Sequence, residues 1–244
     1  MERAVFDTMA RIDSDHWWFA ARRRIIAALI EKQVKPGPGA RILEAGCGTG
    51  SNLALLSRFG TVDALEPDAE ARALASARGG IEVMAGTLPG GVRLEDGAYD
   101  MIAMFDVLEH IPDDKGALVE LRGKVAPGGV LVLTVPALPW LWSAHDEAHH
   151  HQRRYTAKAL RALLPQAGWR IRHLTHFNSL LMPLIVAARA AGKLAGREGG
   201  DEVMPPKPVN ALLGAIFAAE RFVVPRLPLP IGVSIALVAE PSPA

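Results

Sequence analysis

One cysteine, Cys47, stands alone in 244 residues, so no intrachain disulfide can form. The opening MERAVFDTMARIDSD lacks the apolar core of a signal peptide, and a reducing cytoplasm is the expected compartment. No apolar run reaches the roughly eighteen residues that a spanning helix needs. Neither sign of charge dominates either: a net charge of +1 creates no field that would draw nucleic acid or an acidic partner by itself. What the chain has in quantity is apolar residues, 50% against 22% charged, which excludes disorder as its general state and is enough to build a core.

Those apolar residues alternate between two periods. ARILEAG, TVDALEP, IEVMAG and YDMIAMFD read as strands, and SNLALLSRF, DAEARALASAR and DKGALVELRGKV as helices between and after them. The turn APGG introduces a further strand, GGVLVLTVP. Such alternation predicts an α/β fold with a mainly parallel sheet covered on both faces. Further on come a helix opened by Thr156, a strand WRIRHLTHF and a final strand GVSIALVAE. Between those two strands, Asn178 to Ile231 holds two apolar helical segments joined by GREGGDEVMPPKP, too long a connection to be a simple loop. Near the start, HWWFAARRRIIAALIEKQV predicts an amphipathic helix with Ser14 or Asp15 as N-cap and Trp18, Ile25 and Leu29 on one face.

The sharpest signal is LEAGCGTGSN, where a strand ends and a helix begins. Glycines 46, 48 and 50 permit a tight turn and close approach of a ligand to the backbone. In an open α/β sheet that edge is where ligands bind. A dinucleotide fingerprint would read G-x-G-x-x-G/A, whereas here the spacing is G-x-G-x-G and position 51 is Ser. Glu66 closes the second strand sixteen residues past Gly50, where a carboxylate can accept from both hydroxyls of a ribose. With Glu44 before the glycines, YDMIAMFDVLEHIPD as a fourth-strand motif and VAPGGVLVLTVP as a fifth, Ala40 to Pro136 resembles the class I S-adenosylmethionine-dependent methyltransferases.

The resemblance implies a Rossmann-like seven-stranded sheet, mainly parallel with an antiparallel last strand. It also implies S-adenosylmethionine as cofactor. Glu44, Gly46, Cys47, Gly48 and Gly50 would wrap its methionine part, Glu66 its ribose, and Thr87 and Leu88 its adenine, with Asp106 beside the sulfonium. Cys47 reads most simply as a small packing residue, since nothing near it in sequence would lower its pKa. The segment DVLEHI stands where an Asn/Asp-Pro-Pro-Tyr motif would be, which argues against methylation of nucleic-acid bases.

Just past the fifth strand lies SAHDEAHHHQRRY, on the same edge as the glycine turn. No metal is expected, because adjacent histidines at 149, 150 and 151 diverge in regular structure and no cysteine or remote histidine motif completes a set. The segment is similar to a methyltransferase type 11/12-like subgroup that also carries an N-terminal HWWFAARR-type segment and an LPIGVS ending. That likeness draws attention to His145, Asp146, His151, Arg153, Arg154 and Tyr155, while His150 stands where the subgroup has glycine. An Asp beside a His can orient the imidazole and raise its basicity, and arginines can clamp an anionic group. His145, Asp146, His110 and Tyr155 are therefore the catalytic candidates, although His110 also fits a role as a cap in its loop. His16, Trp17, Trp18, Arg22, His151, Arg153 and Arg154 are the candidates for facing the substrate, and a solvated loop is the alternative for the last group.

The expected organisation is one domain over 1–244. It comprises a helical lid over 1–36, a core sheet over 37–177, an apolar helical insertion over 178–231, and a last strand and tail over 232–244. Arg22, Arg23 and Arg24 read as a solvated face, with membrane phosphate contact as the sharper alternative. The insertion is expected to serve a lipid-like acceptor or a membrane surface, with Arg189, Lys193 and Arg197 toward headgroups, or else to be buried against the sheet or a second copy. The activity expected is methyl transfer to a small or amphiphilic acceptor such as a lipid-linked, glycan or secondary-metabolite molecule. A binding module without turnover and a nucleotide-dependent oxidoreductase are the rivals.

Overall fold

Side chains alternate across the pleat, and the strands sort them to two sides. Ile42, Met101, Ala103 and Val132 join one buried cluster, while Leu43, Ile102, Met104 and Leu133 join another. Both faces of the sheet are therefore covered, as near-continuous apolar strands require. A computed structural model of the chain describes residues 3–91, 94–194 and 203–243. The elements in order are α1 (Arg3–Ile12), α2 (Trp17–Leu29, continued by a π turn Ile30–Val34), β1 (Arg41–Ala45), α3 (Leu53–Leu56), β2 (Thr61–Leu65) and α4 (Ala69–Gly79). Then follow β3 (Val83–Met84), β4 (Tyr99–Phe105), α5 (Asp114–Lys124), β5 (Val125–Pro136), α6 (Ala144–Ala148) and α7 (Ala157–Gln166). The last elements are β6 (Trp169–Phe177), α8 (Met182–Leu194), α9 (Lys207–Ala219) and β7 (Ser234–Pro241).

Seven strands form one sheet in the order β3-β2-β1-β4-β5-β7-β6. Pairs among the first five are parallel, and β7 runs antiparallel to both β5 and β6. Because Pro136 and Phe177 both pair with Ser234, the chain after β6 emerges on the same edge as the chain after β5. That register brings the insertion to the site.

Several local expectations change. APGG lies inside β5, where the pairing with β4 slips between Tyr99 and Met101, so it is a bulge and not a turn before the strand. The helix after the glycine turn has only four regular residues, Leu53–Leu56. At α2 the cap is His16, whose ring accepts from the Trp18 N–H at 3.4 Å, in place of Ser14 or Asp15. Thr156 does cap α7, accepting from the Ala159 N–H at 3.0 Å.

The insertion packs on the N-terminal helix. Asn210 of α9 accepts from the Trp17 N–H at 2.8 Å and donates to the Asp15 carbonyl at 2.9 Å. Phe217 stacks on Phe177 with ring centroids 6.1 Å apart. Buried Glu220 accepts from the N–H groups of Asn178, Ser179 and Leu180 at 2.6, 2.7 and 2.8 Å, fixing the chain where it leaves β6. Among the described residues no helix is long and apolar enough to cross a membrane.

Candidate active site

The carboxyl ends of β1, β4 and β5 lead into a cavity of about 440 Å³, a size usual for small-molecule sites. Gly46, Gly48 and Gly50 on its β1 side have φ of 81°, 54° and 79°, a region open to glycine at little cost. A Cβ on Gly46 would lie 2.7 Å from the Val107 side chain, and one on Gly50 2.9 Å from Cα of Ala75. At Gly48, which lines the cavity, a Cβ would meet nothing within 4 Å. The turn is packed from behind and open in front.

Two acids flank it. Glu66 accepts from the Gly48 N–H at 2.9 Å and the Asp68 N–H at 3.0 Å, and burial raises its pKa against the pull of those bonds. Glu44 is buried; one oxygen accepts from Asn52 at 2.9 Å, while the other, like the Asn52 amide oxygen, has no hydrogen-bond partner. Burial pushes the Glu44 carboxyl up to about 7. Burial, followed by Glu44 and Glu66, also raises the Cys47 thiol, so it stays protonated in the turn.

The N-terminal segment forms part of the cavity wall. Asp13 accepts from Thr49 at 3.3 Å and pairs with Arg78 at 2.6 Å, tying this segment to the glycine turn and to α4. His16, Trp17 and Trp18 line the cavity. Arg22 corrects the expectation of a solvated arginine face: it is buried, donates to Thr134 at 2.9 Å and pairs with Asp106. Three consecutive helical residues fan across roughly 200°, so one must turn inward; of the three, Arg24 alone is exposed. Asp106 itself sits at φ 55° at the end of β4, lining the cavity.

The histidine segment closes the other side. Asp146 is fully buried, and its partners are not those expected: it accepts from His151 at 2.8 Å and Arg154 at 2.7 Å, so the imidazole it orients is that of His151, not His145. Burial alone would raise the Asp146 pKa, but those two bonds hold it well below the usual carboxylate range. His150 takes φ 55°, the conformation glycine would supply, and so keeps the turn at that position despite its side chain. His145 lines the cavity with its ring 4.1 Å from that of His149.

Against this segment the fold sets the turn after β4. His110 packs on His151 with ring centroids 4.7 Å apart, and burial, then His151 and His149, lower its pKa to about 3. Neighbouring Glu109 is fully buried, neither carboxylate oxygen has a hydrogen-bond partner, and burial and then Asp106 raise its pKa well above the usual value. Glu109, His110 and His151 place ligand-capable atoms within 4.8 Å of one another. Glu109 and His110, both in the DVLEHI motif, thus lie beside the 149–151 run, a proximity that sequence spacing does not show.

Other candidates sit elsewhere. Tyr155 donates to Asp114 at 2.8 Å and Arg153 pairs with Asp114 at 2.8 Å, and neither lines the cavity. Thr87 and Leu88 follow β3 beyond β2, also outside the lining. Arg154 does line it, and donates to the Ala137 carbonyl at 3.1 Å. Arg189 reaches the cavity and donates to the Leu141 carbonyl at 2.9 Å, which corrects its expected headgroup-facing role. The Lys193 side chain and Arg197 lie outside what is described. Asn178 was missed by the sequence reading: it is buried, sits at φ 56°, lines the cavity and leaves both amide atoms without a partner.

Residues 18–174 match the family model described as a methyltransferase domain. The chain belongs to this methyltransferase family. Trans-aconitate 2-methyltransferase of Deinococcus radiodurans is 32% identical over 145 residues, 57% of this chain and 50% of that protein. A ubiquinone biosynthesis O-methyltransferase of Maricaulis maris is 24% identical over 186 residues, 72% of this chain and 64% of its own. The match thus spans about half the length of the first of these curated relatives. Among solved structures, an S-adenosylmethionine-dependent methyltransferase of Mesorhizobium loti shares the fold at TM-score 0.58 and 16% identity, over 87% of this chain and 95% of its own.

S-adenosylmethionine is the cofactor of this methyltransferase family, and the residues at the glycine turn fit it. Space stands open in front of Gly48, Glu44 offers an unpartnered carboxylate oxygen and Asn52 an unpartnered amide oxygen, and Glu66 ends the next strand.

Proposed function

We propose that the chain transfers a methyl group from S-adenosylmethionine to a small or amphiphilic acceptor bound in the cavity. The observation that carries this reading is that one cavity is bounded by the glycine turn on one side and by His145, His149 and His151 on the other. When bound, the cofactor supplies a methyl group on a cationic sulfur, open to in-line displacement by an acceptor atom. The protein's part is to orient the acceptor and keep water out. Glu44, the three glycines and Glu66 hold the donor side. Of the histidines lining the cavity, we assign to His145 the removal of a proton from a hydroxyl acceptor. Asp146 acts indirectly, as a positioning residue for His151 and Arg154.

An amphiphilic acceptor is supported by the two characters of the lining. Trp17, Trp18 and Ile185 are apolar, while Arg154, Arg189 and Asn178 are polar. On the outer surface of the insertion Leu180, Leu184 and Leu212 are exposed, which suits an acceptor arriving from a lipid surface.

The test is formation of S-adenosylhomocysteine on incubation with the cofactor and a panel of hydroxylated amphiphiles and small carboxylic acids. His145→Ala is expected to lower turnover by about 10²-fold or more while leaving cofactor affinity unchanged. Turnover equal to wild type would remove His145 from the reaction, and cofactor binding without product on any acceptor would favour the binding-module reading.

A further inference from the structure

We propose that Glu109, His110 and His151 form a binding site for a divalent transition-metal ion on the acceptor side of the cavity. Two imidazoles and one carboxylate converge there from two segments far apart in sequence, with ligand-capable atoms within 4.8 Å of one another. Two atoms bound to one tetrahedral ion at about 2.1 Å each lie about 3.4 Å apart, so closure draws the three ligand atoms together by up to about 1.4 Å, a movement that side-chain rotation supplies. All three residues line the cavity, which leaves the remaining coordination positions facing an incoming molecule.

The surroundings are those of a metal site. His151 is held through Nδ1 by Asp146 at 2.8 Å, which leaves Nε2 as its ligating atom. Metal-bound histidines are oriented by this pairing of a carboxylate or carbonyl with the second ring nitrogen. Glu109 supplies the strongest argument. Both its oxygens are buried with no hydrogen-bond donor, and a buried carboxylate needs either a proton or a cation. The nearest guanidinium candidates are engaged elsewhere, Arg22 with Asp106 and Arg154 with Asp146.

The ligand set selects the ion. Imidazole and carboxylate in a two-to-one ratio with open positions suit zinc, cobalt(II) or iron(II), whereas magnesium prefers an all-oxygen octahedron. The open positions would take oxygen donors of the acceptor, a hydroxyl, an enol or a carboxylate. That use rests on the methyl-transfer reading; metal binding itself does not.

Chelator-treated full-length protein, without cofactor or acceptor, is titrated with Co²⁺ and followed by visible ligand-field absorption, with Zn²⁺ as competitor. We expect one equivalent of Co²⁺ displaced by one equivalent of Zn²⁺ but not by excess Mg²⁺. Glu109→Gln and His151→Ala should each weaken uptake by at least about a hundredfold, and Asp146→Asn by about 10–100-fold. S-adenosylmethionine binding by the metal-free variants, measured calorimetrically, distinguishes loss of the site from loss of the fold. Should a variant fail to fold, uptake by the wild-type chain and its loss in His110→Ala decide the matter. Absence of stoichiometric uptake by wild type, or uptake undiminished in folded variants, would overturn the proposal; neither result bears on whether the cofactor binds.

Discussion

Glu66, which we propose holds the ribose, also accepts from the N–H groups of Gly48 and Asp68. Glu66→Ala should weaken S-adenosylmethionine binding at least about tenfold by calorimetry, equivalent to ~1.4 kcal/mol. An unchanged dissociation constant would contradict the ribose assignment. Glu44 makes a pH signature. Its folded-state pKa is raised to about 7 by burial, so the stability it contributes is complete when it is protonated and is lost as pH rises from its unfolded value through about 7. Glu44→Gln cannot ionise. In thermal denaturation of the cofactor-free protein, the variant's stability relative to wild type should therefore rise between about pH 5 and about pH 8; a parallel pair of curves would show that Glu44 does not titrate in that window. These residues were legible because glycines and acids in LEAGCGTGSN and DALEPD are close in sequence. Asn178 and Glu109 were not, since what marks them is burial without a partner, a property of neighbours distant along the chain.

At the scale of elements, the insertion is joined to the site through Glu220. Its carboxylate receives three consecutive backbone N–H groups at the exit of β6, next to Asn178 and ahead of the helix carrying Arg189. Glu220→Ala leaves these donors unsatisfied in a buried position and should cost about 3 kcal/mol in urea unfolding. A loss below about 1 kcal/mol would mean that water replaces the carboxylate there. Strand identities were readable from alternation, whereas ends and irregularities were not. The bulge in β5 follows from pairing with β4, and the His16 cap from where the preceding helix α1 stops.

For the whole molecule, the donor side of the cavity should recognise one nucleotide class and not another. S-adenosylmethionine at about 100 times its dissociation constant should add ~2.7 kcal/mol of stability, and NAD at equal concentration none. Equal thermal shifts would remove the distinction drawn from the glycine spacing. The sequence by itself determined the sheet, the order of its elements, the glycine turn and the acids beside it, because periodicity and turn chemistry act over a few residues. Only the tertiary structure decided which side chains share the cavity. Asp146 proved to serve His151, Arg22 turned from solvent to Asp106, and Glu109 and His110 met His151 across some forty residues of chain. Such pairings depend on the register of β5, β7 and β6 and on how the loops leaving that edge fold over it, and local pattern encodes neither.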